Sequence, residues 1–263
     1  MSKLQRGTTN VIATMLIFSL MISSMAVLYS KISPTIFGYE ASVEASNQQF
    51  VMITVANSAI DLASSSQGSQ TRVKIISQNA VYSLSNGYTL DLTLDNGGLV
   101  ASHSTQLGSF NGNITSSYHQ DRGTFYYGRV SSESSLVTMN TTEATNFVSK
   151  GVFSDTEIDF SLYFKTRMEI TQRVNGDYDI TFIIIKLVQL QNNYDFPINL
   201  EEWTLRLVRQ TTVITEAPTF VAGAGLTLQQ SISGTSLNPI DLSALSGHNV
   251  NVKFIEVPIQ FGL

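Results

Sequence analysis

Three groupings of carboxylates have spacings that could do chemistry: Asp155, Glu157 and Asp159; Asp177 and Asp179; and Glu201 with Glu202. Alternate-residue carboxylates on a strand share one face, where they can hold calcium or work as an acid/base pair. The first two sets stand opposite alternating apolar residues, however, which is the pattern of a solvated sheet face. Asp177 and Asp179 also follow a turn, where aspartate is common. The basic pairs Lys165/Arg167 and Arg206/Arg209 are expected to oppose these carboxylates, and Asp121-Arg122 reads as an exposed pair. Cysteine is absent, which excludes disulfides, thiolate metal sites and cysteine nucleophiles. His103, His119 and His248 lie too far apart for paired metal spacing. There is no Gly-x-Ser-x-Gly elbow and no phosphate loop, and Gly223-Ala224-Gly225 lacks the third glycine of a dinucleotide loop, so it reads as a turn. The expectation is a protein without catalytic, cofactor or metal residues, and not an enzyme.

Composition points the same way. The chain has 263 residues, with 15 basic against 20 acidic side chains and a net charge of −5. That mild acidity offers nucleic acid nothing to bind. Charged residues are 13% of the chain, about half the ~25% of an ordinary soluble domain. Hydrophobic residues still make up 43%, enough for a folded core.

The scarcity of charge is concentrated in the N-terminal segment. Lys3 and Arg6 precede Gly7, and no charged residue follows until Lys31. Residues 11–30 are mostly apolar, broken by Thr and Ser whose hydroxyls can bond back to carbonyls of their own helix. Twenty residues at 1.5 Å each span ~30 Å, the thickness of a hydrocarbon core. The short basic leader predicts that Met1 stays cytoplasmic and the chain beyond Lys31 is exported. A cleaved secretory signal would be shorter and would end in a small-x-small cut, which Ser30-Lys31-Ile32-Ser33 does not offer. A plain signal anchor satisfies the same pattern.

Arg6-Gly7 followed by Thr8-Thr9-Asn10-Val11-Ile12-Ala13 resembles the class III signal peptide of archaeal type IV pilins and related pilin-like proteins. The resemblance covers roughly the first 65 residues. It implies cleavage by a prepilin peptidase between Gly7 and Thr8, with the apolar span kept in the mature protein. Bacterial pilins usually carry glutamate at the fifth residue after the cut; here that residue is Ile12, which favours the archaeal branch. The partners so implied are the peptidase, a pilus-type assembly ATPase with its membrane platform, and other pilin-like subunits. The implied location is the cell surface, membrane-anchored with an extracellular head.

Past Ser33-Pro34 a kink is expected. Helical spacing then resumes, with Val43, Phe50, Ile53, Ala56, Ile60 and Ala63 on one stripe and Glu40, Glu44 and Asp61 outside it. A helix over 8–66 follows, ending near Gly68. From residue 69 the period becomes two. Strands are predicted around Val73 and Ile75, over 88–95 before the turn Asn96-Gly97-Gly98, and at 123–130, 202–209 and 250–261. Pro258 places the last at a sheet edge or strand end. The clearest hairpin runs from Ile158 through Met168 and Ile170, turns at Asn175-Gly176 with φ > 0 at both, and returns through Tyr178, Ile180, Phe182 and Ile184. Residues 180–190 are too short and too β-branched for a second span and read as a central buried strand.

The fold class is therefore α+β: a long N-terminal hydrophobic helix followed by an all-β, sandwich-like head over 69–263. Residues 101–146, rich in Ser, Thr, Asn and Gly, read as long surface loops. They contain both sequons, Asn113-Ile114-Thr115 and Asn140-Thr141-Thr142, as candidate N-glycosylation sites. The functional expectation is a structural surface subunit of the pilin-like kind, minor or accessory rather than major because the head is large. The alternative is a membrane-anchored β module that binds glycan or another surface ligand.

Overall fold

The computed structural model describes residues 3–76, 80–115, 123–127, 137–139, 147–154, 156–189 and 202–262. One helix, α1 (Lys3–Ser64), is followed by a β-rich head of curled sheets. The strands are β1 (Gln70–Ile76), β2 (Ala80–Asp95), β3 (Leu99–Thr115), β4 (Gly123–Tyr127), β5 (Val137–Met139), β6 (Phe147–Phe153), β7 (Glu157–Phe164) and β8 (Thr166–Gln172). They continue with β9 (Tyr178–Gln189), β10 (Glu202–Arg209), β11 (Val213–Val221), β12 (Thr227–Ile232), β13 (Thr235–Ser236), β14 (Ile240–Asp241) and β15 (Asn249–Gly262). One sheet has the order β1-β10-β15-β9-β8-β5, with β11 also on β15. The other runs β13-β12-β2-β3-β7-β6-β4, with β14 on β12.

Two cores hold these layers, and the central strands β9 and β15 serve both. The two strands pair in parallel from Val250↔Tyr178 to Phe261↔Gln189. On one face of the pair, Ile180, Phe182, Val252 and Phe254 enter a core with Leu90, Leu92 and Leu107 of the other sheet. Phe182 and Phe254 stack there with ring centroids 5.0 Å apart. On the opposite face, Ile185, Leu187, Ile259 and Phe261 enter a core with the second half of α1. Burial on both faces explains the nearly unbroken apolar run of β9 from Ile180 to Val188, the central strand expected from the sequence.

The long hairpin β2–β3 also divides between the cores. Tyr82, Phe110 and Ile114 pack toward α1, whereas Leu90, Leu92, Leu94 and Leu107 pack toward β9 and β15. The switch falls at a register shift between Ser85 and Tyr88, where β2 has one residue more than β3; that extra residue changes the parity of β2, so Tyr82 and Leu90 point to opposite faces. Gly108 sits at this crossing, where a Cβ would overlap the Leu187 carbonyl oxygen and stand 2.9 Å from Leu187 Cβ. Only glycine lets the two backbones approach so closely.

Four sequence expectations are corrected. Residues 101–115, read as loop, form most of β3; Ser102, Ser104 and Gln106 face outward, with Ser104 Oγ bonded across to Asp91 Oδ1 at 2.6 Å, while Thr105 and Ser109 are buried. The run from Ile158 to Ile170 is two strands in different sheets: β7 pairs with β3 and β6, β8 pairs with β9, and Lys165 is the corner between them. The following turn has positive φ at Gly176 alone; Arg173 N–H bonds to Asp177 O and Gly176 N–H to Arg173 O, giving a three-residue loop. Pro258 is interior to β15, not at its end. It stands beside residues 210–212, where β10 gives way to β11 and neither ladder on that side of β15 includes it, and its carbonyl accepts Gln210 N–H at 2.9 Å.

Candidate functional site: the N-terminal helix and its seat

Helix α1 has two halves with opposite surroundings. From Val11 to Tyr29 every large apolar side chain is more than half exposed in the isolated chain, and the most apolar stretch is uncharged and long enough to cross a bilayer. Within it Ser24 Oγ bonds to Met21 O at 2.9 Å and Ser30 Oγ to Val27 O at 2.8 Å. These hydroxyls are satisfied inside the helix, as any apolar surrounding requires. The helix continues through Pro34, and Thr35 Oγ1 bonds back to Lys31 O at 3.4 Å.

The second half is seated in the head. Ala41, Glu44, Gln48, Val51, Val55, Ala59 and Leu62, three and four residues apart, form the buried stripe, which Met52 and Ala56 widen. They meet Val73 and Ile75 of β1, Phe160 and Phe164 of β7, Leu205 of β10 and Ile259 of β15. Two polar residues lie inside this seat. Gln48 Nε2 bonds to Glu44 Oε1 at 3.2 Å, and Gly112 opens the space opposite, since a Cβ there would lie 3.1 Å from both Gln48 Oε1 and Met52 Cε. The stripe read from apolar residues alone is thus rotated from the true one. Val43 is 41% and Phe50 71% exposed, and Glu44, read as outside, is buried. A hydrogen-bonded polar pair at the contact is invisible to apolar periodicity.

The apolar surface does not stop where a bilayer would. Ile32, Ile36, Tyr39 and Phe50 are all more than half exposed. Val11 to Phe50 is ~58 Å of helix at 1.5 Å per residue, about twice a hydrocarbon core.

The remaining candidates disperse. Arg6, Gly7 and Thr8 lie in the helix backbone of α1. Asn113 sits within β3, between β2 and β7, and its Nδ2 donates to Asp159 Oδ1 at 2.6 Å. Asn140, His119, Asp121, Arg122, Asp155 and Glu201 fall outside the described residues. Asp177 takes Asn249 Nδ2 at 3.0 Å, and Asp179 takes Asn251 Nδ2 at 3.1 Å across the parallel pair. Asp179 also receives Arg173 through Nε and Nη2, both at 2.7 Å. That hydrogen bond chiefly holds its carboxyl below the usual range. These carboxylates tie strands together. The basic pairs find other partners than expected: Arg167 pairs with Glu169 at 2.7 Å and Arg206 bonds to Gln70 at 2.9 Å. Lys165 is buried at its corner, and burial lowers its pKa. Among the described residues no three His, Asp or Glu side chains cluster to hold a metal.

One polar group between the sheets went unread in the sequence. His103 Nε2 lies 3.0 Å from Glu256 Oε1, Lys186 Nζ lies 3.8 Å from Glu256 Oε2, and Lys186 Nζ bonds to Thr105 Oγ1 at 3.3 Å. The His103 ring also stacks on Phe254 at 4.6 Å. The residues come from β3, β9 and β15, so only the tertiary register brings them together.

No family model, curated protein or solved structure matches the chain.

Proposed function

We propose that this chain is a structural cell-surface subunit of the archaeal type IV pilin-like kind, minor or accessory in its assembly. In this reading a prepilin peptidase cuts after Gly7, residues 11–30 hold the subunit in the membrane, and the sandwich-like head is extracellular. A pilus-type ATPase and its membrane platform then move it into an assembly of like subunits through α1. The observation that carries the reading is the length of exposed apolar helix. A bilayer covers ~30 Å of it. Lipid therefore leaves Tyr39 and Phe50 bare, and neighbouring helices would cover them. Ser and Ala along α1 permit close helix approach.

N-terminal sequencing of the mature protein from its native membrane tests the reading. A first residue of Thr8 is expected. Finding Met1 or Ser2 in cells with active peptidase would exclude the pilin-like route and leave a plain anchor.

A further inference from the structure

We propose that the outward face of the β2–β12 pair carries a binding site for a neutral saccharide. The site is a concavity of about 410 Å³, within the ~300–1,000 Å³ of small-molecule sites. Its floor is built by register: Asp91 pairs with Ser231 and Thr93 with Gln229, so all four side chains share one face. The chain between β13 and β14 folds beside them and adds Leu237 and Pro239 as an apolar wall. That wall is fixed, because Gln230 Nε2 bonds to Asn238 O at 2.7 Å and Leu237 N–H to Gln230 O at 2.9 Å.

The chemistry of the lining selects the ligand. Asp91 is held in place by Ser104 Oγ at 2.6 Å and Ser231 Oγ at 3.1 Å, one on each carboxylate oxygen. Each oxygen has a second lone pair and can still accept from a ligand hydroxyl. Thr93, Thr227 and Ser236 also line the space, and their hydroxyls make no side-chain hydrogen bond among the described residues. Hydroxyls donate and accept, as sugar hydroxyls do, while Leu237 and Pro239 suit the C–H face of a ring. Among the described residues no lysine, arginine or histidine lines the site, so the Asp91 carboxylate would repel anionic ligands. The concavity around Arg173 and Asp179 makes the contrast. There Arg173, Asp179, Asn251 and Thr219 are bonded to one another and Lys253 pairs with Glu216, leaving little for a ligand.

The proposal is independent of how α1 is used. It is tested on the full chain in a detergent without sugar head groups, by saturation-transfer NMR with maltotriose, mannotriose and chitotriose at millimolar concentration. Trigalacturonate serves as the anionic probe. At least one neutral trisaccharide is expected to bind, and trigalacturonate is not. Asp91→Asn and Thr93→Val should each weaken the binding about tenfold, the order of one lost hydrogen bond. Thr93→Val keeps a β-branched residue on an outward face, so an unchanged melting curve identifies its effect as local. Absence of binding by all three neutral probes, binding indifferent to both substitutions, or equal binding of trigalacturonate would each overturn the proposal.

Discussion

Glu256 shows how a single side chain can join layers that secondary structure alone leaves apart. Burial pushes its carboxyl up; hydrogen bonds from Thr105 and His103, with the charge of Lys186, more than offset this and hold it below its ordinary value of 4.5. The groups facing it are Lys186 from β9, His103 and Thr105 from β3, and Val213 as its register partner on β11. A carboxyl depressed by folding binds its proton more readily in the unfolded chain. Its contribution to stability is therefore complete above the unfolded value and is lost as pH falls through the folded one. Urea melts between pH 7 and pH 3 should show a loss on acidification that Glu256→Gln reduces. Equal pH dependence in the two proteins would mean that other carboxylates carry it.

The orientation of α1 is the element whose reading changed most, and it can be tested residue against residue. Met52 is fully buried in the seat, so Met52→Ala should cost about 2–5 kcal/mol. Phe50, two positions earlier and 71% exposed, should tolerate Phe50→Ala within about 0.5 kcal/mol in the isolated subunit. Thermal melts of the detergent-solubilised chain compare them; the reverse order would restore the stripe through Val43 and Phe50. Periodicity found the helix, its uncharged half and about half of the strands, because each is a local pattern of apolar residues. It missed what depends on partners. Glu44 and Gln48 look like solvent-facing residues until Gly112 makes room for Gln48, which bonds to Glu44. β11 escaped notice because seven of its nine residues are exposed, Val213 and Ile214 among them, and Ala217 and Phe220 alone pack against the core. The saccharide site escaped for a related reason. Asp91 and Ser231 stand 140 positions apart and meet only through the β2–β12 register.

At the scale of the whole molecule, the question is which surface covers each length of the exposed helix. If lipid covers residues 11–30, an arginine there must be buried in hydrocarbon. If other subunits cover the helix beyond, a change near Phe50 should leave membrane insertion untouched and weaken assembly. Paired substitutions separate the two. Ile17→Arg with Leu20→Arg places two charges mid-span, at about 5–7 kcal/mol of insertion free energy on the translocon scale. That variant should be lost from the membrane fraction of its native cells. Phe50→Ser changes a side chain that is 71% exposed and faces away from the seat. It should fold, enter the membrane at wild-type level, and yet be depleted from sheared surface assemblies collected by centrifugation. Depletion of both variants from the membrane would mean that the bilayer reaches further along α1 than residue 30. Wild-type recovery of Phe50→Ser in the assemblies would show that no subunit packs on that face, and the helix would then be an anchor with an exposed stem.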